Sequence, residues 1–149
     1  MIEGVRIKHL KIITDDRGRL MEILRCDDGM LEQFGQVYMT TALPGVVKAW
    51  HFHRLQDDHF TCVAGKIRLG LYDGRKGSKT FGETNEFYLS LNEPKVVHIP
   101  RMVYHGFKCV SKEEAMVINT VTQPYNHKNP DELRVDAFDV SIGFDWTKD

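Results

Sequence analysis

The sequence predicts an all-β fold of the sandwich, jelly-roll or barrel kind. Three observations point there: many short runs rich in β-branched and aromatic residues, strong turn signals between those runs, and almost no helical periodicity. Candidate strands cover residues 6–13, 20–24, 36–41, 46–53, 59–63 and 66–72, then 86–91, 95–99, 105–110 and 115–121. Asp16-Arg17-Gly18, Asp28-Gly29, Pro44-Gly45, Ala64-Gly65, Asp73-Gly74 and Asn92-Glu93-Pro94 separate them, each supplying residues that favour tight turns. Ser111-Lys112-Glu113-Glu114 has the form of a helix capping box, but the β-prone Met116-Val117-Ile118 follows at once, so it reads as a turn between strands. Asn129-Pro130-Asp131-Glu132 reads as the start of one short helical turn, a cap residue followed by proline.

A length of 149 residues suits one domain spanning 1–149 and is enough to bury a core without disulfide or metal staples. Hydrophobic residues make up 42% and charged ones 28%, a balance that suggests neither disorder nor a membrane protein. The 20 basic and 21 acidic residues nearly cancel, so no electrostatic feature calls for nucleic acid or an anionic membrane as partner. The opening Met1-Ile2-Glu3-Gly4-Val5-Arg6 does not read as a secretory signal, because charges interrupt it. Cys26, Cys62 and Cys109 are odd in number and widely spaced, which suits reduced, mostly buried thiols and a cytoplasmic location.

The chemistry-bearing residues are histidines. Alternation along 46–53 puts Ala49, His51 and His53 on one face and Trp50 and Phe52 on the other. If the strand that follows the bend at Arg54-Leu55-Gln56-Asp57 pairs with it, Asp58 reaches the histidine face and His59 points away. A third histidine, His105, begins a later strand after the turn at Pro100-Arg101-Met102. His9, His59, His98 and His127 have no such company and read as structural or solvated.

The stretch Gly45-x5-His51-x-His53-x4-Asp58-x6-Gly65 resembles the first motif of the cupin superfamily, with Asp58 where glutamate is usual. Pro100 and His105 fit the second motif, whereas Met102 stands where glycine is common and Cys109 where asparagine is common. The resemblance implies a double-stranded β-helix, the jelly-roll barrel. In metal-binding members the matching positions are His51, His53, Asp58 and His105. Such a set suits a divalent transition metal; the other reading is a hydrogen-bonded pocket with no cofactor.

A narrower resemblance runs through nearly the whole chain. Asp16-Arg17-Gly18-Arg19-Leu20-Met21-Glu22, Phe34-Gly35-Gln36 and Gly45-Val46-Val47-Lys48-Ala49-Trp50-His51 are similar, in order, to segments of the dTDP-4-dehydrorhamnose 3,5-epimerase family. Thr80-Phe81-Gly82, Ile99-Pro100, His105-Gly106-Phe107 and Ile142-Gly143-Phe144-Asp145-Trp146 continue that order. The resemblance implies a homodimer binding nucleotide-linked 4-keto-6-deoxy sugars, an N-terminal segment of one subunit lining the other's nucleotide site. Arg17 and Glu22 would contact the nucleotide, with Gln36 and Lys48 nearby.

Epimerisation beside a keto group needs a base to remove the acidified C–H proton, a stabiliser for the enolate oxygen, and a proton donor across the ring. By resemblance, His51 matches the catalytic histidine and His105 a second active-site histidine. The family's enolate-stabilising lysine falls on Asp58 and its proton-donating tyrosine on Asn119. Its base-orienting aspartate lies in a C-terminal extension beyond the end of this sequence, and Asp139, which matches a different family aspartate, does not fill that role. Three readings follow. A metal on His51, His53, Asp58 and His105 could replace the lysine, with His51 then unable to act as free base. Alternatively, His51 is the base of a metal-free epimerase or isomerase, with Tyr38 or Tyr104 as acid. The third reading is a cupin that binds a sugar nucleotide without turning it over.

Overall fold

The computed structural model describes residues 1–148, and they form twelve strands. These are β1 (Arg6–His9), β2 (Ile12–Asp15), β3 (Gly18–Met21), β4 (Gln36–Ala42), β5 (Val47–Phe52) and β6 (Asp58–Ala64). The remainder are β7 (Lys66–Asp73), β8 (Thr84–Ser90), β9 (Lys95–Ile99), β10 (Val103–Cys109), β11 (Ala115–Val121) and β12 (Leu133–Arg134). Two five-stranded antiparallel sheets, ordered β1-β9-β6-β11-β4 and β12-β5-β10-β7-β8, share one core, and β2 and β3 form a separate hairpin. The all-β jelly-roll barrel expected from the sequence is the observed fold.

The core forms where alternating residues of both sheets turn inward. Leu69 and Leu71 of β7 meet Phe60, Val97, Ile99, Phe107 and Val117 from neighbouring and facing strands, all nearly inaccessible to water. Withdrawing a leucine of that size from water stabilises the fold by roughly 1.5–3 kcal/mol. A second apolar cluster lies on the outer face of β5, where Trp50 meets Phe144 and Trp146 of the C-terminal segment. Buried Arg68 ties that segment down by donating to the carbonyls of Asp145 (2.7 Å) and Lys148 (3.0 Å).

Several boundaries differ from the sequence expectation for identifiable reasons. The run over 6–13 divides where β1 meets Pro94 of its partner: the Leu10 amide still donates to the Pro94 carbonyl (2.8 Å), but proline has no N–H to return the bond, and the chain leaves the barrel for the β2–β3 hairpin. No helical turn starts at Asn129-Pro130. The segment instead makes turns and pairs Leu133 and Arg134 with Phe52 and His51, so tertiary strand pairing overrides the local cap signal. The pairing suggested between the strands on either side of the Arg54–Asp57 bend also does not occur. β5 and β6 lie in different sheets, and Asp58 meets the histidines across the barrel interior. Of the three thiols, Cys62 and Cys109 are buried and Cys26 is exposed; none is paired.

One glycine matters to the site. Gly106 lies at the register shift between β10 and β5, where an added Cβ would come within 2.2 Å of the Ala49 Cβ. Only glycine lets these two strands approach while His105 and His51 stand directly opposite each other.

Candidate active site

The strands open on one side into a cavity of about 1330 Å³. Alternate residues Gln36, Tyr38 and Thr40 of β4 form one wall, and Ala49, His51 and His53 come from β5 and the residue just after it. His105 of β10 lies at the base, and the segment from Gln123 to Val135 forms the rim. The faces read from the sequence hold: Trp50 turns outward into the aromatic cluster, and Phe52 stacks on Tyr104 away from the cavity, rings 4.2 Å apart. Met102, at the position where the cupin motif has glycine, takes a backbone φ of 66°, the left-handed conformation that glycine adopts most easily.

His51 is half-buried, and its Nδ1 lies 2.9 Å from the Glu132 carboxylate. A carboxylate only accepts, so Nδ1 carries the proton and Nε2 keeps a lone pair on the cavity side of the ring. Burial lowers the His51 pKa, and the Glu132 charge opposes that shift without cancelling it. Burial alone would raise the Glu132 carboxyl, but Arg134 and His51 together hold it below its ordinary value. The arrangement is a neutral imidazole oriented by a carboxylate. Nothing in the sequence motifs singled out Glu132. The signal available was the alternation of Glu132 and Arg134 with Leu133 and Val135, which marks a short strand.

Behind His51 a buried network runs through Asp58. Asn119 donates to Asp58 Oδ1 (2.7 Å) and to the Tyr38 hydroxyl (2.7 Å), and Gln56 also reaches Oδ1 (3.3 Å). Asn119 and Tyr38 are register partners on β11 and β4, so the phenol sits beside the amide that occupies the position expected to carry one. Tyr38 as a whole is 38% exposed, but its hydroxyl end sinks toward fully buried Asn119. Loss of water, and then the Asp58 charge, push the phenol up to about 12, so it stays protonated at neutral pH.

The ring nitrogens of His53 and His105 and a carboxylate oxygen of Asp58 lie within 4.8 Å of one another, and all three residues are buried. His53 Nε2 is 3.6 Å and His105 Nε2 is 3.9 Å from Asp58 Oδ2. Burial brings the His105 imidazole down to about 4, the largest influence on it, so the ring is neutral. Four residues were candidates for a metal; among the described residues the geometry gathers three, and His51 stands apart with Glu132.

The remaining candidates divide. Gln36 and Lys48 line the cavity; Gln36 accepts from the Tyr125 amide (2.7 Å) and Lys48 donates to Thr40 (3.2 Å). Arg17 and Glu22 do not line it. Arg17 sits on the β2–β3 hairpin paired with Asp15 (2.5 Å), and Glu22 pairs with Arg25 (3.1 Å), both on the surface. Arg134 is a cationic rim residue that the sequence reading did not single out. Asp139 holds the Ser141 turn and does not reach His51.

A family model described as dTDP-4-dehydrorhamnose 3,5-epimerase matches residues 1–149, taking in the hairpin, every cavity wall and the C-terminal segment. The chain belongs to that family. It is 40% identical over 146 residues to the spore coat polysaccharide biosynthesis protein SpsL of Bacillus subtilis, covering 98% of this chain and 97% of that one. It is 37% identical over 147 residues to a probable low-salt glycan biosynthesis epimerase, Agl13, of Haloferax volcanii, covering 97% and 94%. The crystal structure of a dTDP sugar isomerase from Desulfovibrio desulfuricans matches with a TM-score of 0.92 at 31% identity, over 98% of this chain and 92% of that one. Within a dTDP-4-dehydrorhamnose 3,5-epimerase framework, Asp58 and Asn119 are therefore a bonded pair with Tyr38 attached, occupying the two positions at which the sequence departs from the expected lysine and tyrosine.

Proposed function

We propose that this protein epimerises a nucleotide-linked 4-keto-6-deoxy sugar by moving a proton at a carbon next to the keto group. The observation that carries this reading is His51, its Nδ1 held by Glu132 and its other nitrogen on the cavity side. Nε2 takes the C–H proton, the electron pair moves into the enolate, and the positive charge that develops on the ring is stabilised by the carboxylate behind it. A proton returned to the opposite face of the same carbon restores the ketone with inverted configuration, so no net proton is consumed. Tyr38, protonated and on another wall, is the donor this reading assigns. Its charge on deprotonation would be eased by the Asn119 amide.

Lys48 and Arg134 supply cations beside the cavity for a diphosphate, and Gln36 a polar group for the sugar or base. Arg17 and Glu22 serve a nucleotide only if the hairpin reaches a second subunit. A homodimer is consistent with their position and with exposed Val37 and Met39 on β4, an edge strand. The protein is read as one domain working in the cytoplasm, where its unpaired cysteines would stay reduced.

The test is incubation with dTDP-linked 4-keto-6-deoxy sugar in deuterium oxide, followed by NMR of the ring protons. Deuterium should enter at one or both carbons flanking the keto group. Binding of the sugar nucleotide with every C–H proton retained would leave a binding protein and overturn the enzymatic reading.

A further inference from the structure

The geometry points to Asn119 as a positioning residue that turns the Tyr38 hydroxyl hydrogen into the cavity, so that inversion depends on Asn119 while C–H exchange does not. The inference rests on the proposed epimerase reading for its chemistry, but the hydrogen-bond direction it names can be read without turnover.

Asn119 stands on the middle strand of three. On β11 it lies opposite Tyr38 of β4 on one side and Phe60 of β6 on the other. Its side chain is wholly buried, so its polar atoms need partners within the protein. Oδ1 receives the backbone N–H of His59 (3.0 Å). A backbone N–H only donates, so this contact identifies the oxygen and fixes which way the amide lies. Nδ2 is then the atom that faces both Asp58 Oδ1 and the Tyr38 oxygen, each 2.7 Å away. An amide nitrogen carries two hydrogens and accepts none. One hydrogen goes to the carboxylate, and the other goes to the phenol.

The Tyr38 oxygen is therefore an acceptor toward Asn119, and its own hydrogen lies in another direction. Among the described residues no acceptor takes that hydrogen, and Tyr38 lines the cavity. A phenol without this anchor would spend part of its time with O–H turned into the wall. The locked amide removes those orientations and leaves the hydrogen for a substrate atom. The transfer balances: the O–H bond breaks, the enolate electron pair forms the new C–H bond, and the phenolate keeps the Asn119 hydrogen bond. Solvent then returns a proton to Tyr38, and His51 releases the one it took. Exchange needs less than this. His51 alone can remove a proton and hand back a deuteron on the same face, which gives exchange with retention. Inversion requires the donor on the other wall.

The test follows both events on dTDP-linked 4-keto-6-deoxy sugar in deuterium oxide, with NMR distinguishing inverted from retained deuterated sugar. Asn119→Asp keeps the size and the oxygen facing His59 but sets an acceptor before the phenol, whose hydrogen then turns to it. The ratio of inversion to exchange should fall by about tenfold or more, with exchange itself falling much less. Asn119→Ala, which removes the amide altogether, should lower the ratio in the same direction. Parallel losses of exchange and inversion in both variants would make Asn119 merely structural and overturn the inference. A second measurement needs no turnover. In isotopically labelled protein, one of the two Asn119 Nδ2 proton resonances should move in Tyr38→Phe. If neither moves, the bond to the phenol is absent and the inference falls. If one moves while the wild-type protein exchanges no C–H proton, the hydrogen-bond direction is upheld and the epimerase reading is lost.

Discussion

The barrel holds two groups of buried histidines that began alike in sequence and ended with opposite characters. On the cavity side, His53 and His105 each engage one nitrogen with a backbone carbonyl and leave the other facing Asp58. On the packed side, between β6 and β9, His59 has both nitrogens within 2.9 Å of carbonyls, those of Thr120 and Met30. Its neighbour His98, 4.9 Å away ring to ring, meets the Gly4 carbonyl and Asp57. The adjacent carboxylates differ the same way. Asp57 is held well below its usual range: burial works against it, but bonds from His98 and Arg101 more than offset that penalty. The Asp58 carboxylate meets the amides of Asn119 and Gln56 and the two facing imidazoles. What separates a structural histidine from a working one here is whether the second nitrogen has a partner already.

That contrast can be broken most sharply at His51. His51→Gln keeps the shape but removes the base, and deuterium exchange should fall by about 10²–10⁴-fold with melting temperature nearly unchanged. Retained exchange would mean that the cavity-side histidines are as structural as the others. A smaller effect of a different kind is expected on the packed side. His59→Ala removes the imidazole from the Thr120 carbonyl and leaves the Met30 carbonyl with Arg6 alone (3.0 Å), and urea denaturation should show a loss of about 1–3 kcal/mol. Exchange per folded molecule should stay unchanged, and a specific loss of turnover would show that the packed side takes part in the reaction. Smallest is Glu132→Gln, expected to lower kcat by about tenfold to a hundredfold by releasing the His51 ring. The Glu132 charge favours the imidazolium, so removing it lowers the His51 pKa further and moves the acidic limb of the kcat/KM profile to lower pH. A fall in activity with no movement of that limb would assign Glu132 a merely structural part.

How much of this was legible depended on how local the cause was. The β9 and β11 boundaries were readable to the residue, because alternation and turn chemistry lie within the strands themselves. The inward face of His51 and His53 followed from the same alternation. Glu132 was not legible as the partner of His51, since 81 residues separate them and only the pairing of β12 with β5 brings them together. The same pairing is why a helix-start signal at Asn129-Pro130 failed: two residues of strand paired with Phe52 and His51 of β5 outweighed a local cap. Tyr38 stood out only as one of two tyrosines, and its register with Asn119 made it the one joined to the Asp58 network.

By itself the sequence determined the strand set, the punctuation, the histidines aimed inward and the family likeness, because each is written in residues near one another or in a fixed order. Only the tertiary structure decided which sheet received Asp58, which carboxylate took His51, and which three of four candidate ligands share one space. Those outcomes depend on how two sheets face each other across a barrel, and an interaction across that gap leaves no periodic trace along the chain.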